Sequence, residues 1–455
     1  GGKDGLRQDF LGFVEDGGVS LDRFATFRVI EAEHAGRPWQ SWPDGLDQAG
    51  SRAVRDFAGR HQQALAREMF IQWLADRQLR QAAEAGRAAG LNLGLYRDLA
   101  VGCAADGAEA WSEGTGYCHG VSVGAPPDPF SADGQIWNLP PANPLTMARG
   151  GYATFRTLLA ANMRHAGLMR IDHVMGLTRL FWVPDGAKGS DGAYVAYPRD
   201  ALLAELRLES RRHRTMIVGE DLGTVPDGFR EALDASGVLS YKVLWFERDG
   251  DRLRPPGRYP AASVACVSTH DLPTLAGWWT GSDITEQVLL GLITDEEAAR
   301  RRRASDKAAI LADCRAAGIL DTPQSLDAPL SIETAAALHR FIAASPSAIA
   351  FVQADDLAGE TEAVNLPGTD TERPNWQRRL DTGIETLAQG PLAAALLAAS
   401  ATGRSRTIPL PTPPETAKER HEPPATVPVP DEPRRADAGA GGHQPDAGAG
   451  PAVAR

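Results

Sequence analysis

Carboxylates follow apolar runs at three places in the sequence, in the motifs RIDH (170–173), VGED (218–221) and STHD (268–271). Burying a charged group is unfavourable unless the group is paired or hydrogen-bonded. The motifs are therefore either structural pairs and caps or the parts of one reactive site. A single Asp at the end of a strand most often caps a helix or forms a turn. Only the three motifs together, each after a predicted strand, favour a reactive site.

The first two motifs have the residue types that acid–base and nucleophilic chemistry need. Arg170 and Asp172 lie two positions apart on a predicted strand, so both side chains point to one face. The guanidinium is expected to lower the pKa of Asp172 and keep it ionised, as a nucleophile requires. Burial is expected to raise the pKa of Glu220, as a general acid requires. Such a pair is typical of retaining glycoside cleavage, in which Asp271 would bind sugar hydroxyls or the cationic transition state.

Each motif also has a structural interpretation. Asp221 is expected to be a cap next to Glu220, because it precedes the turn-like segment LGTVPDGF. Asp271 could cap the turn that follows it, and His270 could be a hydrogen-bonded core histidine. A structural ion pair explains RIDH, taken alone, as well as a functional role does.

The elements that must position these residues alternate between strands and helices. Apolar runs predict six strands, over 91–100, 167–172, 215–221, 240–247, 263–271 and 347–357. Helical periodicity predicts helices over 69–90, 152–167, 200–214, 227–237, 291–316 and 331–344. This alternation indicates an α/β fold with a parallel sheet, and the continuously apolar strands indicate a sheet that is covered on both faces.

A doubly wound sheet and a (β/α)8 TIM barrel both fit this pattern. Carboxylates end nearly every predicted strand: Asp98, Asp172, Glu220 with Asp221, Asp271, and Asp355 with Asp356. The strand ends of a barrel converge on one face, where active sites lie, and no GxGxxG fingerprint follows the first strand. We therefore expect the barrel. A barrel needs eight strands, so its first two are expected to be missing upstream of a chain that begins GGKDGLRQDF; the alternative is another fold with fewer strands.

The chain divides into three predicted regions. Residues 1–90 form a helical region of the barrel, and residues 91–402 form the catalytic barrel with strands 3 to 8. From about 403 to 455 the chain has no aromatic residue and is rich in Pro, Ala, Gly and charged residues. Such a composition buries too little apolar surface to offset the loss of chain entropy, which predicts a disordered low-complexity tail.

The charge and composition of the chain indicate which classes of binding partner are unexpected. The formal net charge of −12 and the pI near 5.4 argue against nucleic acid, which needs basic patches. No run approaches the ~20 apolar residues of a membrane helix, and no signal peptide is visible. The scattered cysteines Cys103, Cys118, Cys266 and Cys314 indicate neither a zinc site nor a disulfide framework. A cytoplasmic protein without a metal or cofactor is expected.

Several longer motifs are similar to one enzyme family. RIDHVMGLTRLFWVP, VGEDLGTVPDGF, GVLSYKVLWFE, VSTHDLPTLAGWW, GAPPDPFSADGQIWNLPP and VNLPGTDTERPNWQRRL resemble the 4-alpha-glucanotransferases, also called amylomaltases or disproportionating enzymes. The resemblance runs from about residue 10 to residue 400. It implies a barrel related to the α-amylases that transfers α-1,4-glucan segments to the 4-hydroxyl of an acceptor. Maltooligosaccharides and glucose are the implied partners, and no cofactor is implied.

The resemblance also implies a role for each matching residue. Asp172 would be the nucleophile, Glu220 the general acid and base, and Asp271 the group that stabilises the oxocarbenium-like transition state. Arg170 would hold Asp172 in position, and His173 and His270 would bind sugar hydroxyls. The implied substrate-binding residues are Arg170, His173, His270, Asp98, Asp128, Phe130, Gln135, Trp137 and Asn365.

This sequence departs from the family pattern in three ways. Asn138 stands where the family usually has Gly, and Pro129 stands where an aromatic residue is common. The N-terminal segment with the first two strands and a Tyr-bearing substrate loop has no counterpart. Two other functions stay open: an α-glucan hydrolase of the amylase type, and a glucan-binding fragment without catalysis.

Overall fold

Six parallel strands form the central sheet of the protein. The computed structural model describes residues 2–127, 133–369 and 371–402, so the predicted tail at 403–455 lies outside the described residues. Within these ranges the strands are β1 (Leu95–Leu99), β2 (Val121–Ala125), β3 (Gln135–Leu139), β4 (Ala166–Ile171), β5 (Arg179–Pro184), β6 (Ala193–Ala196), β7 (Met216–Gly219), β8 (Leu239–Val243), β9 (Arg248–Asp249), β10 (Arg252–Leu253), β11 (Ser263–Cys266) and β12 (Ile349–Phe351). The central sheet has the order β1-β4-β7-β8-β11-β12 with every neighbouring pair parallel, which confirms the six predicted strands.

Helices follow most of these strands. They are α1 (Gly2–Glu33), α2 (Arg52–Arg60), α3 (Gln62–Ala88), α4 (Ala108–Glu113), α5 (Pro144–Arg149), α6 (Ala153–Met163), α7 (Arg199–His213), α8 (Phe229–Ala235), α9 (Leu275–Thr280), α10 (Ser282–Leu289), α11 (Glu296–Ala316), α12 (Ile332–Ala343), α13 (Ala354–Ala358) and α14 (Pro391–Thr402). The predicted helices correspond to α3, α6, α7, α8, α11 and α12, and their observed bounds differ by a few residues. The α/β class with a parallel sheet is therefore confirmed.

The sheet is curled, so that its two outer strands approach each other. Tyr96 on β1 and Phe351 on β12 stack with ring centroids 4.8 Å apart and planes 11° apart, although the two strands lie at opposite edges. Among the described residues no strand pairs with the outer edge of β1 or of β12. The arrangement has six consecutive strands of a barrel-like sheet.

A second sheet, antiparallel and not predicted, stands beside the first. Its order is β3-β2-β5-β6, and β5 contains the segment LFWVP. Its strands have four to six residues and lie within the connections between the parallel strands, so their apolar pattern is short. Gly124 on β2 is needed for close pairing, because a Cβ there would lie 2.1 Å from the Gln135 carbonyl oxygen.

Strand β4 divides its side chains between two environments. Leu168 packs inside the curled sheet with Val218, whereas Met169 and Ile171 join the outer apolar cluster that α6 and α7 cover. Because side chains alternate along a strand, Arg170 and Asp172 continue the inner face begun by Leu168. The cores on both faces therefore fix the direction in which Arg170 and Asp172 point.

We expect Gly167 at the start of β4 to tolerate no larger residue. A Cβ at this position would lie 1.4 Å from the carbonyl oxygen of Leu93, at the contact between β1 and β4. Gly167→Ala should therefore lower the free energy of unfolding by about 2 kcal/mol, measured by urea denaturation. Gly12→Ala is the matched control, because a Cβ at that helical position meets nothing within 4 Å and Ala favours the helix. Equal stability of Gly167→Ala and the unsubstituted chain would contradict this packing.

Candidate active site

One buried guanidinium joins three carboxylates at the ends of the parallel strands. Arg170 is 5% exposed, and its Nη1 donates to both oxygens of Asp98 at 2.8 Å. Its Nη2 donates to Asp172 Oδ1 at 2.6 Å and lies 3.5 Å from Asp271 Oδ2. Burial alone would lower the pKa of Arg170, but Asp172 and Asp98 raise it above its ordinary value. The guanidinium therefore stays charged and holds the three acids together.

Strand register places these groups side by side. Asp98 on β1 is the direct partner of Arg170 on β4, and the Asp172 backbone N–H donates to the Leu99 carbonyl at 3.0 Å. Glu220 follows β7 directly, and its backbone N–H donates to the Ile171 carbonyl at 3.0 Å. Ladder hydrogen bonds therefore continue past the ends of the strands and align the acidic residues across three neighbouring strands.

The expected lowering of the Asp172 pKa is wrong in its net direction. Burial raises the pKa of Asp172, and Asp271 and Asp98 raise it further, while Arg170 opposes them. Because three carboxylates share the guanidinium, its positive charge does not fully compensate any one of them. Asp172 nevertheless keeps a charged donor at 2.6 Å, and 36% of its side chain is exposed. Its carboxylate is thus oriented by a cation and open to a ligand.

Glu220 has the environment predicted for a general acid. It is 8% exposed, and its two oxygens accept the backbone N–H groups of His173 at 3.0 Å and Leu222 at 2.7 Å. Burial raises the pKa of Glu220 to about 7, the Leu222 N–H opposes this shift, and the charge on Asp172 adds to it. Since its direct donors are neutral N–H groups, whereas Asp172 has a guanidinium, Glu220 is the carboxyl of this pair that keeps a proton near neutral pH.

Asp271 is fixed from two sides. His270 Nε2 lies 3.0 Å from its Oδ2, and Asn365 Nδ2 donates to its Oδ1 at 2.7 Å. Burial alone would raise the pKa of Asp271, but the hydrogen bonds from His270 and Asn365 hold it below its ordinary value. For His270, burial alone would lower the pKa, but the bond to Asp271 raises it. Asp271 is therefore an ionised group with a fixed orientation at the cluster.

The antiparallel sheet adds an aromatic side to the site. The Trp137 ring lies 5.2 Å from that of His173, edge to face, and Trp137 Nε1 donates to Gln135 Oε1 at 3.0 Å. Burial and the charge on Arg179 lower the pKa of His173 to about 4, so its imidazole is neutral. Asn138 lies in a bulge of β3 with φ 57°, a left-handed conformation that Asn adopts more readily than most residues. This conformation accounts for Asn at a position where Gly is usual.

The remaining predicted positions divide into three groups. Asp128 and Phe130, the other expected loop contacts, lie outside the described residues, as does Pro129. Asp355 and Asp356 lie on α13 and not at the end of a strand: Asp355 pairs with Arg378, and Asp356 accepts the Leu275 N–H at 2.8 Å. The other expected residues contact Arg170, Glu220 or Asp271 directly or through one neighbour, namely Asp98, Asp172, His173, His270, Asn365 and Trp137, and Gln135 is linked to them through Trp137.

Asp221 has a role that its interpretation as a cap does not describe. It is fully buried and accepts Ser240 Oγ at 2.6 Å, the Tyr241 backbone N–H at 2.8 Å and Arg230 Nε at 2.8 Å. Lys242 Nζ lies 3.3 Å from the same carboxylate. Asp221 therefore ties the end of β7 to β8, next to Glu220. The sequence signal for this role is the run Ser240-Tyr241-Lys242 on the next strand, which supplies three of the groups that contact the Asp221 carboxylate.

A second unpredicted residue, Trp376, stands on the opposite side of the cluster. Its ring centroid lies 5.2 Å from that of His270, and 61% of the residue is exposed. The sequence signals are its place in the family-like motif VNLPGTDTERPNWQRRL and the polar segment TERPNWQRR, where no apolar periodicity explains a Trp.

Among residues 2–127, 133–369 and 371–402, no group of three or more His, Cys, Asp or Glu side chains has a metal-binding arrangement. The same ranges contain no helix with the length and apolar character to cross a membrane.

Similar sequences and similar solved structures point to one enzyme family. A family model described as 4-alpha-glucanotransferase matches residues 2–385. The 4-alpha-glucanotransferase of Mycobacterium tuberculosis (strain H37Rv) is 39% identical over 366 residues, which cover 79% of this chain and 50% of that protein. The chain therefore spans about half the length of this relative.

Solved structures have the same fold. The crystal structure of amylomaltase from Corynebacterium glutamicum superposes with a TM-score of 0.78 at 33% identity, over 87% of this chain and 56% of that one. Amylomaltase from Streptococcus agalactiae in complex with acarbose superposes with a TM-score of 0.72 at 19% identity, over 88% of this chain and 75% of that one. The second similarity concerns the fold alone.

The pKa of Glu220 can be measured without any substrate. In a chain with ¹³C-labelled glutamate, we expect one carboxyl to titrate near pH 7 by NMR, far above its ordinary 4.5, and to be absent in Glu220→Gln. Asp172→Asn removes a neighbouring negative charge, so the Glu220 pKa should fall. Asp200→Asn, whose side chain is 85% exposed, is the control and should change nothing. Titration of Glu220 near 4.5 in the unsubstituted chain would rule out this environment.

The charge on Asp221 should be needed for stability. Asp221→Asn removes the carboxylate that Arg230 and the buried Lys242 share. The new amide N–H₂ group would also face N–H and O–H donors that now bind the carboxylate. We expect the free energy of unfolding to fall by about 3 kcal/mol in urea denaturation at neutral pH. Asp200→Asn is again the control. A change below about 0.5 kcal/mol would mean that this network does not hold β7 to β8.

Proposed function

Because the chain belongs to the 4-alpha-glucanotransferase family, we propose that it transfers α-1,4-glucan segments between maltooligosaccharides and glucose. The observation that carries the proposal is the buried Arg170 guanidinium bound to Asp98, Asp172 and Asp271, beside a Glu220 whose pKa is raised to about 7. This arrangement supplies one oriented carboxylate and one protonated carboxyl, the two groups that retaining glycoside chemistry requires.

The proposed first step breaks the donor glycosidic bond. The Asp172 carboxylate attacks the anomeric carbon while Glu220 donates its proton to the leaving glycosidic oxygen, which gives a glucosyl ester and a shortened glucan. Positive charge develops on the sugar ring in the transition state, and the ionised Asp271 stabilises it. Arg170 keeps Asp172 oriented throughout. His173, neutral because its pKa is lowered to about 4, is available to hydrogen-bond a sugar hydroxyl.

The proposed second step reverses the roles. Glu220, now ionised, removes the proton from the 4-hydroxyl of an acceptor glucan or glucose, and the acceptor oxygen attacks the anomeric carbon of the ester. Asp172 leaves as a carboxylate, Glu220 regains its proton, and the new bond has the configuration of the old one. Water in place of the acceptor would give hydrolysis by the same route.

The proposal extends to the fold. The six strands β1, β4, β7, β8, β11 and β12 would be strands 3 to 8 of a (β/α)8 barrel, with residues 1–90 as a helical region on it. The consecutive strand order and the Tyr96–Phe351 stack across the two outer strands support this assignment. The carboxylates also follow strand ends on one face, as they do in barrel enzymes.

Incubation with maltotriose tests the proposed transfer. Transfer gives glucose together with maltooligosaccharides longer than the substrate, whereas hydrolysis gives only shorter products. Asp172→Ala and Glu220→Gln should each lower the rate by about 100-fold or more, and Asp200→Asn should not. A chain that binds maltotriose but makes no product would instead be a glucan-binding protein.

The two carboxylates should differ in chemical rescue. Glu220→Gln should regain activity with a glucosyl fluoride donor, whose leaving group needs no proton, or with azide, which needs no base. Asp172→Ala should not respond in this way, because it lacks the group that forms the ester. Near-normal activity of Asp172→Ala would show that the nucleophile is another residue.

A further inference from the structure

Among the residues that the structure describes, Trp376 is the most exposed aromatic residue close to the acidic cluster. The residue is 61% exposed, although Trp is usually well buried in folded proteins. Its ring lies 5.2 Å from the ring of His270, with planes 48° apart, and His270 Nε2 in turn lies 3.0 Å from Asp271. A large flat apolar surface therefore stands next to the groups proposed to act on a sugar.

The backbone holds Trp376 in an unusual conformation. Its φ is 61°, in the left-handed region, which costs a residue with a Cβ about 1–2 kcal/mol. Its N–H donates to the Val364 carbonyl at 2.9 Å. Residues held in sparsely populated conformations by surrounding structure tend to lie at functional sites.

Two polar side chains fix the loop that carries Trp376. Asn375 Oδ1 accepts the Leu366 N–H at 3.0 Å, and Asn375 Nδ2 donates to the Thr369 carbonyl at 3.1 Å. Arg373, which is 8% exposed, donates from Nη1 to Asn375 Oδ1 at 2.8 Å and from Nε to Glu286 Oε1 at 2.8 Å. The loop is therefore tied internally and to α10, so the exposed ring has a defined position.

The same loop contacts the cluster at both of its ends. Asn365 donates to Asp271 Oδ1 at 2.7 Å, and Trp376 lies against His270, which contacts Asp271 Oδ2. The hydrogen bond from the Trp376 N–H to Val364, the neighbour of Asn365, closes the loop. The residues at the two ends of this loop thus supply both a polar contact of Asp271 and the exposed indole.

We propose that the indole of Trp376 is a platform on which a glucose unit of the bound α-glucan stacks, next to the unit over Asp172. A glucose ring presents C–H groups on its faces, and an aromatic ring supplies a rigid apolar surface for them at a low cost in conformational entropy. A neutral sugar gains little from long-range charge, so apolar contact is needed beside the hydroxyl-binding groups. The inference rests on the proposed function, and it assigns to Trp376 binding rather than chemistry.

The direct test measures binding without turnover. In the Asp172→Asn chain, the Kd for maltoheptaose is measured by calorimetry, alone and combined with Trp376→Ala or Trp376→Phe. We expect Trp376→Ala to weaken binding about tenfold and Trp376→Phe to stay within about threefold, because Phe keeps a flat ring. Phe70→Ala on α3 is the control: Phe70 is also exposed but packs against Phe10 and Trp73, and its loss should leave Kd unchanged.

A second measurement needs no substitution at Trp376. Maltoheptaose should protect tryptophan fluorescence of the Asp172→Asn chain from quenching by acrylamide, since it would cover the exposed indole.

In the otherwise unsubstituted chain, Trp376→Ala should raise KM for maltoheptaose about tenfold with a smaller change in kcat.

The outcomes separate this inference from the proposed function. Equal affinity with and without Trp376→Ala, together with unprotected fluorescence, would overturn the stacking role and leave glucan transfer standing. A lowered kcat with unchanged KM and Kd would mean that Trp376 only positions His270, which also overturns it. Absence of maltoheptaose binding in every variant would overturn both.

Discussion

One buried guanidinium, that of Arg170, is shared by three carboxylates and holds the whole site together. Asp98, Asp172 and Asp271 come from three separate segments, and their negative charges would repel one another without Arg170. A guanidinium has five donors in a planar fork, so it contacts several carboxylates at once, whereas a lysine ammonium would act as a point charge. Burial raises the pKa of Asp172 and of the neighbouring Glu220, and the negative charge that the divided cation leaves uncompensated adds to both shifts.

Buried polar networks on either side keep this cluster in position. Behind Glu220, Asp221 gathers donors from β8 and α8 and so joins two strands where the ladder ends. On the opposite side, Arg373 and Asn375 stabilise the loop that presents Asn365 and Trp376. Each network satisfies polar groups that would otherwise be costly to bury. The acidic side chains at the centre are therefore surrounded by hydrogen-bonded networks of the kind that preorganised electrostatic stabilisation uses.

Much of the central sheet and of the site could be predicted from the sequence, because the signals are local. Apolar runs marked the six parallel strands, and the spacing of Arg170 and Asp172 put both on the inner face of β4. The predicted direction of the Glu220 pKa depended only on an apolar run before the residue and is confirmed. The antiparallel sheet of β2, β3, β5 and β6 was not predicted, since short strands with long-range partners leave little periodicity in the chain.

The sequence alone wrongly placed Asp355 and Asp356, which lie on α13, at the end of a strand. It nevertheless identified the carboxylates that follow β4 and β7 and the face that Arg170 and Asp172 share, because strand periodicity is a property of neighbouring residues. It also supplied the motifs that relate the chain to a family. The tertiary structure alone buries Asp172 beside Asp271 and Asp98, and this burial together with the added negative charge raises the pKa of Asp172, against the expected direction. It likewise decided that Asp221 joins two strands and that Trp376 stands beside His270. The reason is physical: charge interaction and ring contact depend on distance in space, and residues such as Asp172 and Asp271 become neighbours only when the sheet curls.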